Sequence, residues 1–291
     1  MKNAVRRVKR ASLVFLCAIA VLSCTKEESS SIQEEAIQDF DVAELKASDE
    51  TELISEEVIS IAEDIYATDE ITATSKNFYS SNYLPDCVTI TTVETTTGKE
   101  RTIDFGEGCE LPNGNILGGI IYLNYSKDMD VATKTLTLSL ENFTFNGAEV
   151  EGSASIDRMR SNDNGNPQAD AVGSFIATWA DGSTASFTGD RTREWIEGYG
   201  SGFWADNVFL ITGKRSYSGK FGNTLMKETI TPLRRELSCR FIVSGVLEIT
   251  RNDTMVTLDF GDGDCDATGT LTYSDGSTEE ILLRRLRNFK K

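Results

Sequence analysis

Thr133-Lys134-Thr135-Leu136-Thr137-Leu138-Ser139-Leu140 alternates polar and apolar side chains without interruption. A period of two places successive side chains on opposite faces of a pleated strand, so this stretch predicts a β-strand with one buried face. Val88-Thr89-Ile90-Thr91 repeats the pattern, and turn dipeptides recur between such runs at Asn113-Gly114, Asn146-Gly147, Asp181-Gly182 and Asp275-Gly276. Short alternating runs joined by Asn-Gly and Asp-Gly are the grammar of antiparallel hairpins. No helical periodicity of similar strength interrupts them after Cys87. Residues 87–291 are therefore expected to form one all-β domain of about a dozen strands, an antiparallel meander closing into a sandwich or a curled sheet.

The domain echoes itself. Cys87 leads to Thr102-Ile103-Asp104-Phe105-Gly106-Glu107-Gly108-Cys109, and Cys239 leads to Thr257-Leu258-Asp259-Phe260-Gly261-Asp262-Gly263-Asp264-Cys265. Trp179-Ala180-Asp181-Gly182-Ser183-Thr184 matches Tyr273-Ser274-Asp275-Gly276-Ser277-Thr278, and Val150-Glu151-Gly152 matches Ile211-Thr212-Gly213. Two related repeats account for these matches. Four body cysteines permit three pairings, and the repeat selects Cys87 with Cys109 and Cys239 with Cys265, because each pair then brackets one hairpin.

Ahead of the β region, Ile54, Val58, Ile61 and Ile65 fall at helical spacing after a start resembling a capping box at Asp49 and Glu52. Residues 50–86 are read as a helical segment whose short amphipathic helix packs its apolar stripe on the body. Residues 24–49 are read as an acidic tether.

Residues 1–23 join a basic start (Lys2, Arg6, Arg7, Lys9, Arg10) to a short apolar run, which has the form of a signal peptide. The run ends in Val21-Leu22-Ser23-Cys24, which resembles the lipobox of bacterial lipoproteins. That resemblance implies removal of the leader and a lipid on Cys24. The following Lys26-Glu27-Glu28 resembles the export signal of Bacteroidota-type surface lipoproteins. It implies an outer-membrane protein, lipid-anchored and facing the cell exterior. Lipobox and Asp-Phe-Gly-acid-Gly-Cys hairpins together resemble uncharacterised surface lipoproteins of that kind, a likeness that implies location and fold and carries no activity.

The net charge is −17, and the leader supplies five of the positive charges, so the remainder is more acidic still. Such a chain repels phosphate backbones, which argues against nucleic-acid binding. The chain has no histidine, which excludes Ser-His-Asp and Cys-His catalysis and imidazole metal sites. No Cys-x-x-Cys spacing points to a metal or redox centre. Asp104-Phe105-Gly106 and Asp259-Phe260-Gly261 match the magnesium-holding triplet of protein kinases, but the glycine-rich loop and catalytic loop that give it meaning are missing. Asp259, Asp262, Asp264 and Asp266 make a dense acidic turn without the ligand order of an EF-hand, and are read as solvated. Asn162 to Pro167 reads as a turn. Trp179, Trp195, Tyr199, Phe203 and Trp204 are either a sugar-stacking platform or, as aromatics in strands usually are, core. No cofactor, metal or catalytic residue is expected. The expected role is a non-catalytic one in the envelope, with the membrane and an envelope protein or polysaccharide as partners, and the alternative is a lipoprotein that binds or cleaves carbohydrate.

Overall fold

A computed structural model describes residues 42–74, 82–128, 131–219 and 222–283. Cys24, Lys26, Glu27 and Glu28 lie outside the described residues. One helix, α1 (Val42–Thr74), precedes fifteen strands that form a single antiparallel sheet. The strands are β1 (Thr89–Glu94), β2 (Gly98–Asp104), β3 (Cys109–Glu110), β4 (Ile116–Ser126), β5 (Thr133–Phe145), β6 (Ala148–Met159), β7 (Gln168–Thr178) and β8 (Thr184–Glu197). They continue as β9 (Val208–Thr212), β10 (Lys214–Ser218), β11 (Thr224–Glu236), β12 (Ile242–Arg251), β13 (Thr254–Asp262), β14 (Thr268–Thr272) and β15 (Thr278–Leu282). Each strand pairs with its sequence neighbour, save that β2 and β3 lie end to end along β4, and β9 and β10 lie end to end between β8 and β11. This is the expected meander, in its curled-sheet form.

The alternation read from residues 133–140 is borne out: Thr133, Thr135, Thr137 and Ser139 are exposed while Leu136 and Leu138 are buried. The turns also follow their sequence. Asn146 and Gly147 both adopt positive φ, 50° and 86°, as the tight turn from β5 to β6 requires. Gly119 (φ 77°) sits at a register shift between β4 and β5, where a Cβ would lie 2.2 Å from the Asn142 carbonyl oxygen. Only glycine fits that bulge.

The sheet curls round α1. Ile54, Val58, Ile61 and Ile65 are buried, as their spacing predicts, but so are Ser55, Glu57, Ile59, Ala62, Glu63, Tyr66 and Ala67, which point to every side of the helix. The helix is also longer than expected. It begins at Val42, inside the stretch read as tether, and runs through Ala67 and Ile71 to Thr74, about 50 Å in all. The early start has a physical cause: Leu45 is buried against the second half of the sheet, and the Glu44 carboxylate accepts a hydrogen bond from Asn223 Nδ2 at 2.8 Å. No helix among the described residues is long and apolar enough to cross a membrane.

Burial of an acidic helix requires partners, since an unpaired buried charge is expensive. Among the described residues six acids of α1 are buried (Glu44, Asp49, Glu52, Glu57, Glu63, Glu70), and six basic residues of the strands are buried with them (Lys134, Arg158, Arg191, Arg193, Arg215, Lys227). Glu52 lies 2.9 Å from Arg215 Nε and 3.1 Å from Lys227 Nζ, Glu63 lies 3.1 Å from Arg193 Nη1, and Glu70 lies 3.3 Å from Arg158 Nη2. Near the last turn, where the helix dipole disfavours acids, Asp69 accepts hydrogen bonds from Tyr125, Arg101 and Lys99. Burial alone would raise its carboxyl, but these bonds outweigh that and hold it below the ordinary carboxylate range.

The two disulfides pair the cysteines as the sequence reading expects. Cys87–Cys109 brackets β1 and β2 with a Cα separation of 5.8 Å, and Cys239–Cys265 brackets β12 and β13 with one of 5.7 Å. The matched turns share their hydrogen bonds too. Gly106 N donates to Asp104 Oδ1 at 2.8 Å and Gly261 N to Asp259 Oδ1 at 2.9 Å. Ser183 N donates to Asp181 Oδ1, and Ser277 N to Asp275 Oδ1, at 2.9 and 2.8 Å.

Candidate ligand cavity

Between the middle of α1 and one end of the sheet lies a cavity of about 180 Å³. Its floor is helical: Leu53, Glu57, Ser60 and Asp64 recur at steps of four, three and four, so they share one face of α1. One wall is the turn after β3, with Asn113 and Asn115. A second wall is the loop after β11, from Leu237 to Arg240, and the remaining lining includes Arg193 and Trp195 of β8, Phe209 of β9, Tyr83 and Trp204.

Each disulfide braces one wall. Cys239 itself lines the cavity, and Cys109 anchors the strand from which the Asn113 turn departs. That turn is closed by Leu111 N donating to Asn115 O at 2.8 Å and Gly114 N donating to Leu111 O at 2.8 Å, with Gly114 at φ 82°. The turn legible at Asn113-Gly114 therefore also presents the side-chain amides of Asn113 and Asn115 to the helix.

Glu57 is the distinctive group. Its Oε2 accepts from Asn113 Nδ2 at 2.7 Å and from Asn115 Nδ2 at 2.9 Å. The amides are held in turn, Asn115 Oδ1 accepting from Asn146 Nδ2 at 3.1 Å. Burial pushes the carboxyl up to about 7, with Glu56 adding to the rise while the two amides and Arg235 oppose it. Glu57 Oε1, by contrast, is buried without a hydrogen-bond partner. Two other cavity residues share that condition, at Glu63 Oε1 and Asn207 Oδ1.

The aromatic residues divide between the core and the cavity lining. Trp195 is buried, packed 5.0 Å from Tyr199 and 5.1 Å from Phe209 between ring centroids, yet it still faces the cavity. Trp204 is half-buried and lies 5.4 Å from Tyr83. Trp179 packs on the core, and Phe203 is 55% exposed. The Arg193 guanidinium stacks 3.5 Å over the Phe209 ring while donating to Ser60 Oγ at 2.8 Å. Its partners thus fix its position from the helix and from β9 together.

The other singled-out residues do not converge on a site. Asp259 and Asp266 accept hydrogen bonds from Gly261 and Thr268 of their own turns. No group of three or more acids, cysteines or histidines among the described residues is placed to hold a metal ion. The loop from Asn162 is a turn, with Asn164 N and Asn166 N donating to Asn162 Oδ1.

Glu57, Glu63, Asn113 and Asn207 were not singled out in the sequence as a site. The available signal was phase: Lys134, Arg158, Arg193, Arg215 and Lys227 all fall in step with the inward apolar residues of their strands, which demands an acidic partner inside. Comparison with protein-family models, curated proteins and solved structures finds no match to this chain.

Proposed function

We propose that this chain is a lipid-anchored outer-membrane protein facing the cell exterior, which binds a small ligand of the envelope in the cavity beside Glu57 without chemically altering it. The observation that carries the binding role is the cavity itself, three of whose lining residues, Glu57, Glu63 and Asn207, each carry a buried oxygen without a partner in a protein interior where such atoms are normally satisfied. The anchor rests on the Val21 to Cys24 box, and the orientation on Lys26-Glu27-Glu28. The matched disulfides and Asp-Gly turns support a sheet built from two related repeats.

Binding is preferred to cleavage because the buried acids of the cavity are already engaged: Glu57 Oε2 accepts from two amides and Glu63 is paired with Arg193 at 3.1 Å, whereas glycoside hydrolysis needs two carboxyls committed to the sugar.

The reading is tested by feeding cells a palmitate analogue and fractionating them. Wild type should carry the label and sediment with the outer membrane, and Cys24→Ala should lose both properties. A labelled, membrane-bound Cys24→Ala protein contradicts the reading.

A further inference from the structure

We infer that the cavity takes one uncharged, hydroxyl-bearing ring, a single sugar residue, held by Glu57, Glu63 and Asn207 against Trp204 and Tyr83. The inference rests on the cavity being the functional site and adds the chemical class of its occupant.

Size sets the first bound. A cavity of about 180 Å³ holds roughly six waters at liquid density. It is smaller than the roughly 300 to 1,000 Å³ of pockets for drug-sized ligands. The occupant is therefore one ring and not a chain, although a terminal residue of a longer glycan satisfies the same bound.

Charge sets the second. Glu56, Glu57, Glu63 and Asp64 line the cavity, and so do Arg193, Arg235 and Arg240. An anion meets the acids and a cation meets the guanidinium groups, so neither is favoured. A bare metal ion is further disfavoured, because the acids do not gather at one point.

Hydrogen bonding sets the third. Among the lining residues, Glu63 Oε1 and Asn207 Oδ1 are buried without partners and require donors, while the unpartnered Glu57 Oε1 accepts a hydrogen bond when ionised and donates one when protonated. A ligand that satisfies all three must offer groups that donate and groups that accept. The same lining carries donors of its own in Arg193, so acceptors on the ligand are also served. The hydroxyl group is the small neutral function that both donates and accepts. Trp204 and Tyr83, in mutual contact at 5.4 Å, offer an apolar surface to the C–H face of such a ring.

The test uses the full chain, purified in a detergent without a sugar headgroup, and reads the emission of its tryptophans. The probes are neutral monosaccharides (glucose, galactose, mannose and N-acetylglucosamine), with cyclohexylamine and cyclohexanecarboxylate as charged rings of like size. The inference expects a saturable change with at least one of the sugars, weakened at least tenfold by Trp204→Ala and by Asn207→Ala. Since Asn207 is buried, its variant is first checked for a cooperative melt, and Trp204, half-buried, supplies the independent variant. Saturation by either charged ring and by none of the sugars overturns the sugar assignment while leaving a binding cavity. Absence of any saturable response, with ordered water alone filling the cavity in a crystal, overturns the assignment and the binding function together.

Discussion

Glu63 on α1 and Arg193 on β8 meet at 3.1 Å, both buried, although 130 positions of sequence separate them. The same arrangement recurs along the helix, where Glu52 meets β10 and β11, and Glu70 meets β6. Each contact fixes one height and one azimuth of α1 against one strand. A buried ion pair adds little net stability over an apolar pair of like size, but a mismatched one leaves charges stranded. We read the set as a register device that seats the helix at one depth, and that depth brings Glu57 to the Asn113 turn.

Removal of one shared acid should therefore be costly. Glu52→Gln strands Arg215 and Lys227, both about 3% exposed, and should lower unfolding free energy by roughly 3 to 5 kcal/mol in urea titrations. The control is Glu228→Gln, whose pair with Lys214 is about half exposed and should change stability by less than about 1 kcal/mol. Equal effects from the two variants would show that the interior pairs are solvated.

The pH dependence follows from Glu57. Its carboxyl is held at about 7 in the folded protein against an ordinary 4.5, so the folded state keeps a proton that the unfolded chain has lost. Its contribution to stability is fully present below about 4.5 and disappears as pH rises through 7, a change of roughly 3 kcal/mol. Glu57→Gln removes that dependence. The difference in unfolding free energy between variant and wild type should shift in the variant's favour by about that amount from pH 4 to pH 8, and parallel profiles would refute the assignment.

The disulfides close loops of 22 and 26 residues, for which the chain-entropy argument gives roughly 3 to 4 kcal/mol each. The double variant Cys239→Ser with Cys265→Ser should melt earlier. Hydrogen exchange should also quicken first in residues 237–240, the wall that this bridge braces. Faster exchange spread evenly over the sheet would mean that the bridge stabilises the fold without shaping the cavity.

The orientation proposed from Lys26-Glu27-Glu28 is open to a separate check. Replacing all three with Ala should leave lipid labelling intact while protecting the protein from protease added to whole cells. A wild-type protein already protected in intact cells would rule out display on the exterior.

Much of the fold was legible in local pattern. Alternation gave the strands, Asn-Gly and Asp-Gly gave the turns, and the similar sequences around the two cysteine pairs gave the pairing, because each depends on residues close in sequence. The site was not legible, because it is made by contacts between distant positions. In Thr133-Lys134-Thr135-Leu136 the lysine is in phase with the buried leucines, and it is itself 3% exposed. Read as a solvated charge it says nothing, whereas read by phase it announces a charged interior. Likewise Glu52, Glu57, Glu63 and Glu70 look like the wet side of an amphipathic helix until the sheet closes over them. Their partners, up to 175 positions away for Glu52 and Lys227, supply what the helix sequence alone lacks.

The most direct test of the cavity is the titration of the Glu57 carboxyl carbon by nuclear magnetic resonance, assigned by its loss in Glu57→Gln. The free protein should titrate near 7. Saturation with the bound sugar should lower that value, because hydroxyl donors favour the ionised oxygen. A midpoint near 4.5, unmoved by ligand, would show Glu57 open to water and would contradict the account.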